Sequence, residues 1–211
     1  MMMNLFSTFD PCTGKLSMNW ISTIMFIFIL PKSFWKKKNM NQNLMNKISE
    51  KINNEIKMNT KYKSIKLILV SMMLLILTNN ILGILPYVFT STSQINFSLS
   101  ISMPMWISYM MFGWMKNTKL MLTNMLPKNT PSLIMPLMIL IEFSSNLIRP
   151  SSLAIRLSAN MIAGHLLMSL LGEKSMFFII MMIILMMFET AVAIIQSYVF
   201  TTLMTLYSSE V

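Results

Sequence analysis

Between Glu142 and Met168 an apolar run carries Glu142, Asn146, Arg149, Arg156, Asn160 and His165, which include both arginines of the chain and its one histidine. Glutamate and histidine exchange protons wherever water reaches them, whereas a guanidinium stays protonated in any protein setting and acts as a fixed cation. A carboxylate, an imidazole and a fixed cation along one apolar segment make an intramembrane polar path with a fixed cation in it. A cation at the centre of a membrane helix costs about 2.5 kcal/mol or more, so an arginine kept there faces a protein partner or a wet cavity.

Wound as a helix at about 100° per residue, Glu142, Asn146, Arg149, Arg156 and Asn160 share one polar sector about 80° wide. His165 falls about 140° from Glu142 and addresses a different neighbour. Ala154, Ala159, Ala163 and Gly164 let another helix approach closely, and Pro150 bends or loosens the segment. Arg149, beside Pro150 and close to Asn146 on the stripe, reads as a structural pair for Glu142 or for a phosphate head group. Further along, Glu189, Ala193, Gln196 and Phe200 lie within about 60° of one another, which sets a second carboxylate and an amide on one helix face. Thr190 and Ser197 stand on the adjacent face, where their hydroxyls can bond to water or to the first helix. The amides Asn146, Asn160 and Gln196 hydrogen-bond without carrying a proton, so their part is to position groups or order water.

Positioning these groups falls to a membrane protein, since 55% of the 211 residues are hydrophobic and 11% charged. A first apolar segment, 16–31, is short; its core reaches about 22 Å at 1.5 Å per residue, and it spans with Trp20 and Trp35 as interfacial anchors. Residues 40–60 repeat Leu44, Ile48, Ile52 and Ile56 every fourth position among charged neighbours, the pattern of a helix lying on a membrane surface. A solvated linker fits the same residues. The second span is 66–87, closed by Pro86, with Asn79 and Asn80 inside it reading as ordinary helix packing that could also hold water. The third is 95–115, with Pro104 inside it. Segments 132–171 and 175–207 would be about 60 and 48 Å long as single helices, against a hydrocarbon core of about 30 Å, so they tilt, kink or break. The short Gly172-Glu173-Lys174 connection makes them antiparallel arms, and a split of the first arm at Arg149-Pro150 into two half-helices stays open. The fold expected is all-α integral membrane, with five membrane-crossing helices, one amphipathic surface helix, and a long, steeply tilted hairpin as the last pair.

Ten lysines lie between residues 32 and 66 and three between 116 and 128, while 88–96 carries no charge and 172–174 none net. Five crossings place both lysine clusters and the C-terminus on the inner side, and the N-terminus outside. The net charge of +10 therefore borders apolar spans and marks topology rather than a nucleic-acid surface. One cysteine excludes an internal disulfide framework and, with one histidine, makes no structural zinc site. No metal and no cofactor is expected. No glycine loop of the phosphate-cradling type occurs, so nucleotide chemistry is not expected in this chain.

The segment from Ile148 to Leu167, with its Arg156-Leu-x-x-Asn160-x-x-Ala163-Gly164 pattern, resembles the signature of subunit a of the rotary ATP synthase in its animal mitochondrial form. Asn4 to Pro11 and Glu189 to Phe200 resemble the same family, so the likeness covers essentially the whole chain. The resemblance implies a stationary, non-catalytic, proton-translocating subunit of the mitochondrial inner membrane, whose N-terminus faces the intermembrane space and whose C-terminus faces the matrix. It implies a ring of c subunits as partner, met by Arg156, together with other membrane-sector and peripheral-stalk subunits, the lipid bilayer and protons. His165 and Glu189 are implied on the way in, and Glu142 on the way to the matrix. Two other classes fit the bare composition: a stand-alone ion channel or secondary transporter, and a structural scaffold in which Arg156 would pair with Glu142 or Glu189.

Overall fold

The structure, a computed structural model, describes residues 5–12, 17–25, 27, 39–59, 63–116, 118–126, 131, 134–172 and 178–210. Among these residues it is helical throughout, with no strand. The helices are α1 (Met40–Asn59), α2 (Lys63–Ile84), α3 (Ile95–Lys116), α4 (Thr118–Asn124), α5 (Met135–Gly172) and α6 (Ile179–Glu210), with 3-10 turns at Leu5–Phe9, Met18–Thr23 and Ser91–Ser93.

Leucine, isoleucine and methionine dominate α2, α5 and α6, and these three are long and apolar enough to cross a membrane. The third expected span is α3, an unbroken helix of 22 residues that runs through Pro104. It is not among the helices that are apolar enough by composition alone to cross, and its serines, Asn96 and Pro104 are the residues that lower it. Of the first expected span, Met18–Thr23 forms 3-10 turns, with Trp20 edge-on to Phe89 at 5.9 Å; residues 16, 26 and 28–31 lie outside the described residues. α2 stops ahead of Pro86, and the chain turns at Tyr87, whose φ of 66° lies in the left-handed region that side chains rarely adopt.

Pro150 does not divide α5, which continues for 38 residues to Gly172. A proline removes one backbone donor from a helix, but buried packing on both sides can hold the segment together. Pro150, Leu153, Ala154 and Leu157 are all buried here. At about 1.5 Å per residue α5 is about 57 Å long and α6 about 48 Å. The two meet Arg149 to Tyr207 near one end and Asn160 to Gln196 nearer the other, so they run antiparallel.

α2 packs along α6 and α3 along α5, with the Ser91–Ser93 turn lodged against α5. Leu69, Met73 and Ile76 of α2, Leu153 and Leu157 of α5, and Phe200 and Met204 of α6 form the core. α1 joins it through Ile52 and Ile56, while Leu44 and Ile48 of the same stripe remain exposed. Tyr198 on α6 donates to the Glu55 carboxylate at 3.2 Å and ties α1 to the long helix.

Candidate functional site

A cavity of about 290 Å³ opens where α2, α5 and α6 meet, with Asn80, Asn160, Gly164, His165, Glu189 and Gln196 on its walls. Each arrives by its helical register. Asn160 and Gly164 are one turn apart on α5, and Glu189 and Gln196 are two turns apart on α6. Asn160 Nδ2 donates to Gln196 Oε1 at 3.1 Å across the two helices.

Gly164 admits the Glu189 carboxylate to this wall, because a Cβ at residue 164 would run into Glu189 Oε1. Gly83 does a similar service on α2, where a Cβ would fall 2.8 Å from Met161 Cε and 3.2 Å from Thr90 Cγ2. His165 sits beside the Gly83 backbone, and its ring meets Phe9 edge-on at 6.2 Å. The imidazole thus faces α2 and the N-terminal turn, neighbours off the stripe, and still borders the cavity.

Asn80 Oδ1, His165 Nε2, Glu189 Oε1 and Gln196 Nε2 are buried without a hydrogen-bond partner among the described residues. Buried polar atoms are ordinarily bonded, and although this cavity is mainly apolar, waters next to its few polar groups satisfy them where each water finds two to four partners. A water takes about 30 Å³ of liquid, so this space has room for several. A chain of waters between an imidazole and a carboxylate can pass a proton.

The stripe on α5 divides. Asn160 borders the cavity, whereas Glu142, Asn146, Arg149 and Arg156 do not. Glu142 Oε1 lies 3.8 Å from Arg149 Nη2, and the Arg149 guanidinium lies 5.5 Å from the centre of the Tyr207 ring. Arg156 is exposed, and among the described residues no carboxylate lies within ion-pair distance of it. The pairing of Arg156 with Glu142 or Glu189 that a scaffold requires is absent from the described residues. Ser197 is fully buried and its hydroxyl donates to Ile194 O at 2.8 Å, within its own helix rather than toward α5. Thr190 does the same with Met187 O at 2.8 Å.

Two residues of this region carried little signal in the sequence. Asn80 reads equally well as packing, and only the arrival of α5 and α6 on its face makes it a wall of the cavity. Phe9 is one phenylalanine among thirteen, and nothing local ties it to a histidine so far along the chain.

The fold and the site define a helical membrane protein with a mainly apolar pocket that gathers a few polar and ionisable side chains, and a fixed cation exposed nearby. The family described as ATP synthase A chain matches residues 16–209. Proteins named ATP synthase subunit a from Locusta migratoria, Anopheles gambiae and Drosophila melanogaster are 47%, 45% and 43% identical to the chain, each aligned over 100% of both sequences. The chain belongs to the ATP synthase subunit a family.

Proposed function

We propose that this chain is the stationary proton-translocating subunit of the membrane sector of mitochondrial ATP synthase. It crosses the inner membrane five times, with its N-terminus toward the intermembrane space and its C-terminus toward the matrix. α5 and α6 form a tilted hairpin against a ring of c subunits. Other membrane-sector and peripheral-stalk subunits keep the chain from turning with the ring.

Protons reach the cavity from the intermembrane space by way of His165 and Glu189, with Asn160, Gln196 and Asn80 ordering the water between them. From there a proton neutralises a carboxylate on the ring. After rotation the proton leaves toward the matrix past Glu142. Arg156 stands between the two routes. Its permanent charge favours the ionised form of a passing ring carboxylate, which promotes release on one side, and it repels a proton that would cross directly. Asn146 and Arg149 support Glu142, and Ser197 supports the cavity wall. The chain does no nucleotide chemistry of its own; it couples proton flow to rotation and thereby to ATP synthesis in its partners.

The observation that carries this reading is the combination of a partly open, mainly apolar cavity that gathers Glu189 and His165 with an exposed arginine, Arg156, off its walls on α5. A stand-alone transporter needs its charged groups to close on one another across the substrate site. Arg156 instead looks outward, as a residue does that waits for another subunit. The test is Glu189→Gln in the assembled complex, which keeps the shape and removes the exchangeable proton. ATP-driven proton pumping into inner-membrane vesicles is then lost while the complex still assembles. Pumping at the parent rate would contradict the reading.

A further inference from the structure

The N-terminal turn Leu5–Phe9 packs against α5 although residues 10–134 lie between them in the chain. Its fixing is specific. Gln94 Nε2, just past the buried Ser91–Ser93 turn, donates to the Phe9 carbonyl at 2.7 Å. Asn19 Nδ2 donates to the Asp10 carbonyl at 3.3 Å, which holds the next residue as well. The Phe9 ring then meets the His165 ring edge-on, with 88° between their planes. His165 thus has both the Phe9 ring and the Gly83 backbone as neighbours, borders the cavity, and keeps Nε2 buried and unpartnered among the described residues. An imidazole that passes protons must keep one nitrogen aimed along the path, and an aromatic edge locked by two hydrogen-bonded neighbours does that without competing for the proton.

We propose that Phe9, held by Gln94, is a positioning residue for His165, so that the N-terminal turn belongs to the proton-uptake route. The inference rests on the proposed function, since it assigns Phe9 a role through a histidine on that route. Several groups face His165 from the elements packed around it. α6 contributes Glu189, which is titratable, while Asn80 of α2 and Asn160 of α5 are amides on the same cavity. The N-terminal turn contributes Phe9, followed by the exposed carboxylate of Asp10. Loss of the Phe9 ring leaves the imidazole free to turn among these groups, and the proton affinity of the route then changes even though no titratable group has been removed.

The test uses assembled ATP synthase in inner-membrane vesicles, with rates normalised to the amount of complex. ATP synthesis is measured against the pH on the uptake side for Phe9→Ala, Phe9→Tyr, His165→Ala and the double variant Phe9→Ala/His165→Ala. The inference expects Phe9→Ala to lower the rate and displace the midpoint of the pH profile, and Phe9→Tyr to restore both. It further expects the double variant to be no slower than His165→Ala alone, the non-additivity of two residues acting as one unit. A Phe9→Ala profile with its midpoint unmoved and a loss that adds to that of His165→Ala would make Phe9 a folding contact only and overturn the inference. If His165→Ala itself leaves rate and profile unchanged, the uptake route assigned under the proposed function fails and the inference falls with it. Where Phe9→Ala reduces assembly, Gln94→Leu, which leaves the ring in place and releases its anchor, is read in the same way.

Discussion

Gly164 and Glu189 show how tightly one residue can depend on another's lack of a side chain. A methyl at residue 164 would run into Glu189 Oε1, so Gly164→Ala makes the carboxylate shift from its place on the cavity wall. ATP synthesis per assembled complex falls steeply while the complex itself persists; synthesis at the parent rate would place Glu189 off the path. The Asn160 to Gln196 bond answers to a different test. Asn160→Leu leaves Gln196 Oε1 without its donor, which costs about 1–3 kcal/mol when the orphaned group stays buried, and both thermal stability of the complex and its synthesis rate drop. Asn80→Leu separates packing from water ordering. If the amide orders cavity water, proton flux falls with assembly unchanged; if it is packing alone, leucine serves as well. The sequence made Arg156, Glu189 and His165 conspicuous because ionisable groups are expensive in an apolar run. It could not make Asn80 conspicuous, because an amide beside another amide suits helix packing anywhere, and its significance comes from two helices far along the chain.

At the scale of elements, α1 illustrates what periodicity gives and what it leaves open. Spacing by four residues predicted one apolar stripe, and Ile52 and Ile56 do face the core, yet Leu44 stays 50% exposed. Which half of the stripe finds a partner depends on where α2 and α6 end, and no local pattern records that. Ile56, 5% exposed, packs into the core formed with α2 and α6. Ile56→Ala removes about 2–5 kcal/mol of docking energy. Hydrogen exchange over residues 40–59 then quickens while α5 stays protected, and Leu44→Gln, on the open half, leaves exchange as it was. The length of α5 is a parallel case. The sequence left open whether Pro150 divides it, and tertiary packing on Pro150, Leu153 and Ala154 keeps it one helix. The 3-10 form of Met18–Thr23 had no distinct signal at all, since a short apolar run with serine and threonine suits either helix type.

For the molecule as a whole, the stripe on α5 reaches the cavity through Asn160 while Arg156 stays off its walls, and this difference is the basis of the account. Asn160, itself exposed, bonds to Gln196 at the rim of the cavity, while Arg156, one turn earlier, is exposed with no carboxylate beside it among the described residues. A cation held in that position makes sense if a second body supplies the negative charge, and the proposed function assigns that part to the ring of c subunits. The most direct measurement compares the parent complex with Arg156→Ala and Arg156→Lys in reconstituted membranes, recording ATP synthesis and passive proton leak together. The account predicts that Arg156→Ala abolishes coupled synthesis while leak persists or rises, and that lysine, which lacks the planar and permanently charged guanidinium, does not restore synthesis. Synthesis undiminished in Arg156→Ala, with leak unchanged, would show that Arg156 separates nothing.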